Sequence, residues 1–132
     1  MTAPPVLAFV YDRCATTNRA MLELRLAACT EHLVEHGWDS AGQFVDRGDD
    51  ALTNDTRPQF DEMLRTITQA AGRERVCLMF DWGRLSHDVG HRQDFTHAAL
   101  GAGAWLATVN GESVRMGAVP DGRLTGAPQV IA

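Results

Sequence analysis

Residues 6–13, Val6-Leu7-Ala8-Phe9-Val10-Tyr11-Asp12-Arg13, decide the fold. The apolar run from Val6 to Tyr11 follows Pro4 and Pro5 and is short and unbroken, as a strand buried on both faces should be. It gives way to an Asp-Arg pair and then to Cys14, Ala15, Thr16 and Thr17. A buried strand therefore delivers polar groups from its C-terminal end, and the question is which of them carries chemistry.

Downstream, the period changes. From about Thr17, Leu22, Leu26, Cys29 and Leu33 recur at four- and three-residue steps, with Glu23, Arg25, Glu31 and Glu35 between them, which predicts a helix that Gly37 ends. A second strand is expected at Gln43-Phe44-Val45, closing on Asp46. Residues 47–56, RGDDALTNDT, read as a mobile polar loop. Thr56 is placed to cap a helix through Gln59, Phe60, Met63, Leu64 and Ile67, with Pro58 in its first turn. Arg75 to Phe80 reads as the next buried strand, followed by a loop holding Asp81, Gly83 and Arg84. A helix from about Asp88 to Leu100 should turn Phe95, Ala98 and Ala99 inward. Trp105 to Val109 is a further strand, and after the Asn110-Gly111 turn Ser113 to Met116 should run antiparallel to it.

Alternating strands and helices predict a three-layer α/β domain with a mainly parallel sheet and an antiparallel edge strand. In such folds function gathers beyond the C-terminal ends of the strands. Tyr11-Asp12-Arg13, Asp46, and Asp81 through Arg84 mark those ends, so three separate segments bring charged groups to one rim.

Composition narrows the partners. At 132 residues the chain is one domain, over residues 1–117, with a Gly- and Pro-rich tail at 118–132 that shows no helical periodicity and no DNA-binding domain. The formal charge is −5 and every basic residue is an Arg, scattered among acids, which argues against a nucleic-acid footprint made of bulk charge. The three cysteines are far apart and fit no metal-binding spacing, so they read as reduced and buried. The start shows neither a leader nor a membrane span, so a cytoplasmic protein without membrane contact is expected. No cofactor is expected either.

The order of the pieces resembles the catalytic domain of the serine recombinases, the resolvase/invertase family. The resemblance rests on Tyr11-x-Arg13, on Asp46-x-Gly48 with a loop and Arg57-Pro58, and on Arg84-Leu85-Ser86, and it runs from about Leu7 to Glu112. It implies a resolvase-like fold and a site where a Ser attacks a DNA phosphodiester to form a 5′-phosphoseryl link. It also implies that Arg13, Arg57 and Arg84 face the phosphate, supported by Tyr11 and Asp46, because crowded anionic oxygens need fixed cations and directed donors. Against that pattern, Ala15 stands at the nucleophile's position, Gly83 at that of an Asp, His87 at that of an Arg, and Arg19 where a Gln is common. A methyl group cannot attack phosphorus, so strand exchange by the family's mechanism is expected to be absent. An isolated Ser→Ala change would explain Ala15 alone; the three departures together point to natural degeneration.

No substitute nucleophile stands out. Cys14 alternates with its neighbours and should face the core, Thr16 reads as a cap or loop contact, and His87 and His91 read as solvated histidines near a helix start rather than a zinc site. Arg13, Arg57 and Arg84 either hold an anion or persist as internal ion pairs. Trp38, Trp82 and Trp105 read as core or edge packing, with Trp82 beside the site. The chain is accordingly expected to act through a protein partner, as a homo-oligomer or as a regulatory binder. The alternatives are a recombinase fragment working on DNA with a separate DNA-binding chain, and a small phosphate-ligand binder.

Overall fold

A computed structural model describes residues 3–15, 19–48, 57–118 and 124–131, with side chains described as far as residue 116. The strands are β1 (Leu7–Cys14), β2 (Asp39–Arg47), β3 (Arg75–Met79), β4 (Ala104–Thr108), β5 (Ser113–Ala118) and β6 (Leu124–Ile131), and the helices are α1 (Arg19–Glu35), α2 (Pro58–Gln69) and α3 (Val89–Ala102). They form one sheet in the order β2-β1-β3-β4-β5-β6. β1 pairs in parallel with β2 and β3, β3 with β4 likewise, and β5 is antiparallel to both β4 and β6.

This order dictates the layers. Right-handed crossovers that move one way across a sheet put their helices on one face, and a crossover moving back puts its helix on the other. The β1-to-β2 step runs opposite to the β2-to-β3 and β3-to-β4 steps, so α1 lies on one face and α2 with α3 on the other. Side chains sort accordingly, because neighbours along a strand point to opposite faces. Phe9, Tyr11, Cys77, Met79 and Leu106 pack with Phe60, Met63, Ile67 and Ala99 on the two-helix face. Ala8, Val10, Val76, Leu78 and Ala107 pack with Cys29 and Leu33 of α1.

The helix ends follow their sequence signals. Gly37 takes φ +68 and closes α1 with bonds from Gly37 N to Val34 O and from Trp38 N to Leu33 O, a Schellman end. Pro58 is the first residue of α2. Gly103, at φ +114, ends α3, and the Asp88 side chain caps its start by accepting from the His91 amide.

Several expectations are corrected. β2 is far longer than the three-residue segment expected, because it is an edge strand whose polar first half carries little hydrophobic signal. Arg25 is buried at 8 % exposure rather than lying among solvated polar positions. On α3 Ala98 is exposed, and the inward residues are Thr96 and Ala99 with Phe95 half-buried. Part of the segment read as a tail forms β6, whose Pro128 sits on an edge strand, where a missing N–H is tolerated. The loop read over residues 47–56 is corrected at its start, where Arg47 ends β2, while its residues 49–56 and the readings of Thr16 and Thr56 as caps lie outside the described residues. Among the described residues no helix is long and apolar enough to cross a membrane.

Candidate functional site

β1 and β3 lie side by side at the centre of the sheet, and the crossovers leave them in opposite directions. That makes their C-terminal ends the topological switch point, where a crevice opens between diverging connections. Arg13 comes from the end of β1. Asp81 and the 3-10 turn Trp82–Arg84 follow β3, and Arg57 precedes α2. The three arginines named from sequence are brought together here, but each spends donors on the chain's own carbonyls. Arg13 Nε donates to Gly83 O at 2.8 Å. Arg84 Nη1 donates to Arg13 O at 2.9 Å and Arg84 Nε to Asp81 Oδ1 at 3.3 Å. Arg57 Nη1 donates to Leu85 O, and its guanidinium lies 4.1 Å from the centre of the Phe95 ring.

The arginines therefore lace the loop after β3 to β1 and α2. They differ in access: Arg57 is only 2 % exposed, whereas Arg13 and Arg84 are half-buried and keep a surface toward solvent. Their mutual proximity is felt as charge. Burial first, and then the cations Arg57 and Arg84, hold the Arg13 guanidinium below the ordinary arginine value.

Tyr11 and Asp46 form the floor on the two-helix face. Tyr11 Oη donates to Asp46 Oδ2 at 2.8 Å, and the same carboxylate accepts from the amides of Gln59 at 2.9 Å and Phe60 at 3.1 Å. Asp46 thus supplies the N-terminal cap that the chain at Arg57 lacks. Burial and the adjacent Asp46 push the Tyr11 phenol well above its usual value, so it stays a neutral donor.

Sequence reasoning missed the other half of the support. Asp12, 1 % exposed, points to the α1 face and accepts from Arg25 Nε at 2.8 Å and Nη2 at 2.9 Å. Arg84 Nη1 stands 3.8 Å from the other side of this pair, at Asp12 Oδ1. The bidentate bond raises the Arg25 value further. A signal was present: Arg25 lies three residues after Leu22 and four before Cys29, on the buried stripe, and Asp12 shares its strand parity with Ala8 and Val10.

The residues read from sequence as departures from the serine recombinase pattern, Ala15, Gly83 and His87, lie near this cluster. Ala15 is exposed just past the end of β1. A Cβ built on Gly83 would lie 3.1 Å from Asp81 Oδ1 and 3.3 Å from His87 Cε1, so an acid at this position would crowd an existing carboxylate. His87 is exposed, and His91 faces Asp88 at 3.5 Å. Cys14 is buried, as its strand parity implied, and so are Cys29 and Cys77, whose thiols burial pushes up to about 12.

A mainly parallel sheet with this strand order, an antiparallel edge pair and a charged cluster at its switch point define the class: a serine recombinase catalytic-domain fold. The family model described as "Resolvase, N terminal domain" matches residues 8–126, and the chain belongs to that family. Among solved structures it is similar to the N-terminal catalytic domain of TP901-1 integrase, at 16 % identity and TM-score 0.65, over 79 % of this chain and 77 % of that one. It is similar as well to the C-terminal catalytic domain of ISC1926 TnpA, an IS607-like serine recombinase, at 15 % identity and TM-score 0.64, over 79 % of this chain and 70 % of that one. A resolvase family site-specific recombinase from Streptococcus pneumoniae matches at 17 % identity and TM-score 0.64, over 91 % of this chain and 76 % of that one. No curated protein sequence matches the chain.

Proposed function

We propose that this chain is a degenerate serine recombinase domain that has no strand-exchange chemistry and acts by binding, through protein contacts or as a regulatory binder. The observation that carries the reading is at the end of β1: Arg13 stands in the site, and the exposed residue two positions on is an alanine. Gly83 adds support, because an acidic side chain there would stand beside the Asp81 carboxylate, with its Cβ 3.1 Å from Asp81 Oδ1.

The arginine cluster favours a phosphate-bearing ligand as what the site holds. Arg13 and Arg84 keep solvent-facing surface and are crowded by like charge, which an anion between them relieves. Arg57 serves from behind by fixing the Leu85 carbonyl. Inorganic phosphate or a short phosphodiester should therefore raise the melting temperature in a saturable way, and Arg13→Ala should abolish the rise. A rise that survives Arg13→Ala, or none at millimolar phosphate, contradicts this assignment. A fragment acting on DNA with a separate DNA-binding chain would instead bind duplex DNA with an affinity that falls steeply with salt.

A further inference from the structure

The crossovers that place α2 and α3 on one face leave α1, among the described residues, as the only helix on the other, and α1 covers mainly β1 and β2. Over β4 and β5 the α1-side face opens into a cleft of about 310 Å³, at the small end of the range for ligand pockets, roughly 300–1,000 Å³. None of its lining residues belongs to the arginine cluster.

One wall is a continuous run of planar groups. His32 and His36 stack at 4.1 Å, His36 lies 4.8 Å from Trp38, and Trp38 meets Trp105 edge-on at 5.6 Å. The run ends with Arg115, one step along the β4–β5 ladder from the Leu106–Val114 pair, whose guanidinium carbon lies 3.7 Å from the centre of the Trp105 ring. Two carboxylates, Glu74 and Glu112, also line the cleft, and Glu112 Oε1 accepts from Thr108 Oγ1 at 3.3 Å. Trp105 Nε1–H is buried and has no acceptor among the described residues.

We infer that this cleft is a binding site for an arginine-type guanidinium, supplied by a free arginine derivative or by an arginine side chain of a peptide, and that Arg115 is its internal competitor. Aromatic faces carry negative quadrupole potential and attract flat cations, and two carboxylates strengthen the preference. Arg115 shows that the Trp105 face accepts a guanidinium. A ligand must displace Arg115, so its apparent affinity is reduced by the fraction of time Arg115 occupies the ring.

The test follows the three indole N–H signals by two-dimensional NMR, assigned with single Trp→Phe variants, during titration with L-arginine amide and, as the neutral isostere, L-citrulline amide. The expected result is saturable movement of the Trp105 and Trp38 signals with arginine amide, none with citrulline amide, and no change at Trp82. Glu112→Gln should weaken binding, and Arg115→Ala should tighten it roughly two- to tenfold. Arg115→Gln, which keeps the stem packed, repeats the measurement if the alanine variant fails to fold. Equal shifts with citrulline amide, a motionless Trp105 signal, or unchanged affinity in both Arg115 variants overturns the proposal. A blocked Gly-Arg-Gly peptide distinguishes the sources: tighter binding than arginine amide assigns the cleft to a peptide side chain, and weaker binding to the free small molecule.

Discussion

Asp12 and Arg25 carry the largest single-residue consequence. Both side chains are nearly out of water, and their bidentate bond is what keeps the Asp12 carboxylate tolerable beneath β1. Asp12→Ala should cost about 3–5 kcal/mol in urea unfolding, because it strands the buried Arg25 guanidinium, and Arg25→Ala should cost less, because Arg84 at 3.8 Å still faces the Asp12 carboxylate. The double variant Asp12→Leu/Arg25→Met should recover most of that loss, as expected if the penalty is the unpaired partner rather than the absence of the pair. Tyr11 is the chain's only tyrosine, so its ionisation can be read directly. Its phenol is raised above 10.0 by burial and by Asp46, so the folded chain keeps a proton that the unfolded chain releases. That contribution is complete below about pH 10 and is lost as pH rises further; the thiols of Cys29 and Cys77, raised from 9.0 to about 12, act in the same direction from about pH 9. Phenolate absorbance should therefore appear with unfolding and not before it, and Tyr11→Phe should flatten the alkaline loss of stability. A phenolate titrating near pH 10 in the folded chain would contradict the buried Tyr11–Asp46 bond.

Among the elements, the start of α2 depends on a residue from another strand. Asp46, at the end of β2, accepts the amides of Gln59 and Phe60, so Asp46→Ala removes a cap and a buried acceptor together and should cost about 2–4 kcal/mol. Amide exchange at Gln59 and Phe60 should speed up before that of β3. At the far end of α3, Gly103 is held at φ +114, and an added Cβ would stand 2.5 Å from Arg75 Nη2. Gly103→Ala should cost about 1–2 kcal/mol or more, from the left-handed backbone and from displacing an Arg75 guanidinium that donates to Ile67 O at 2.7 Å. The sequence was most readable where periodicity is strong and both faces are apolar, as in β1, β3 and β4, and at Gly37, where the backbone admits one residue type cheaply. It was least readable at β2 and β6, edge strands with one hydrogen-bonding side free, whose residues Ser40, Gly42 and Pro128 carry no strand signal.

Across the whole molecule, the convergence of three charged segments on one rim was readable because strand order in a parallel α/β sheet fixes where the ends meet. What each arginine does there was not. Arg13, Arg57 and Arg84 are held by the carbonyls of Gly83, Leu85 and Arg13, and a main-chain acceptor leaves no mark on residue identity. Arg25 escaped for a different reason: a charged residue on a buried helical stripe looks like a flaw in the period until its partner on β1 is known. On the proposed reading, this is a recombinase scaffold whose cationic switch point is kept in place by internal bonds and whose attacking group has been replaced by Ala15. The most direct test is capture on DNA. A nicked suicide duplex is incubated with the native chain and with Ala15→Ser, and protein is sought on the 5′-phosphate under denaturing conditions. No covalent species is expected from either, because on the proposed reading Gly83 and His87 also depart from the family's site; a phosphoseryl adduct from Ala15→Ser, or any covalent adduct from the native chain, would contradict the account.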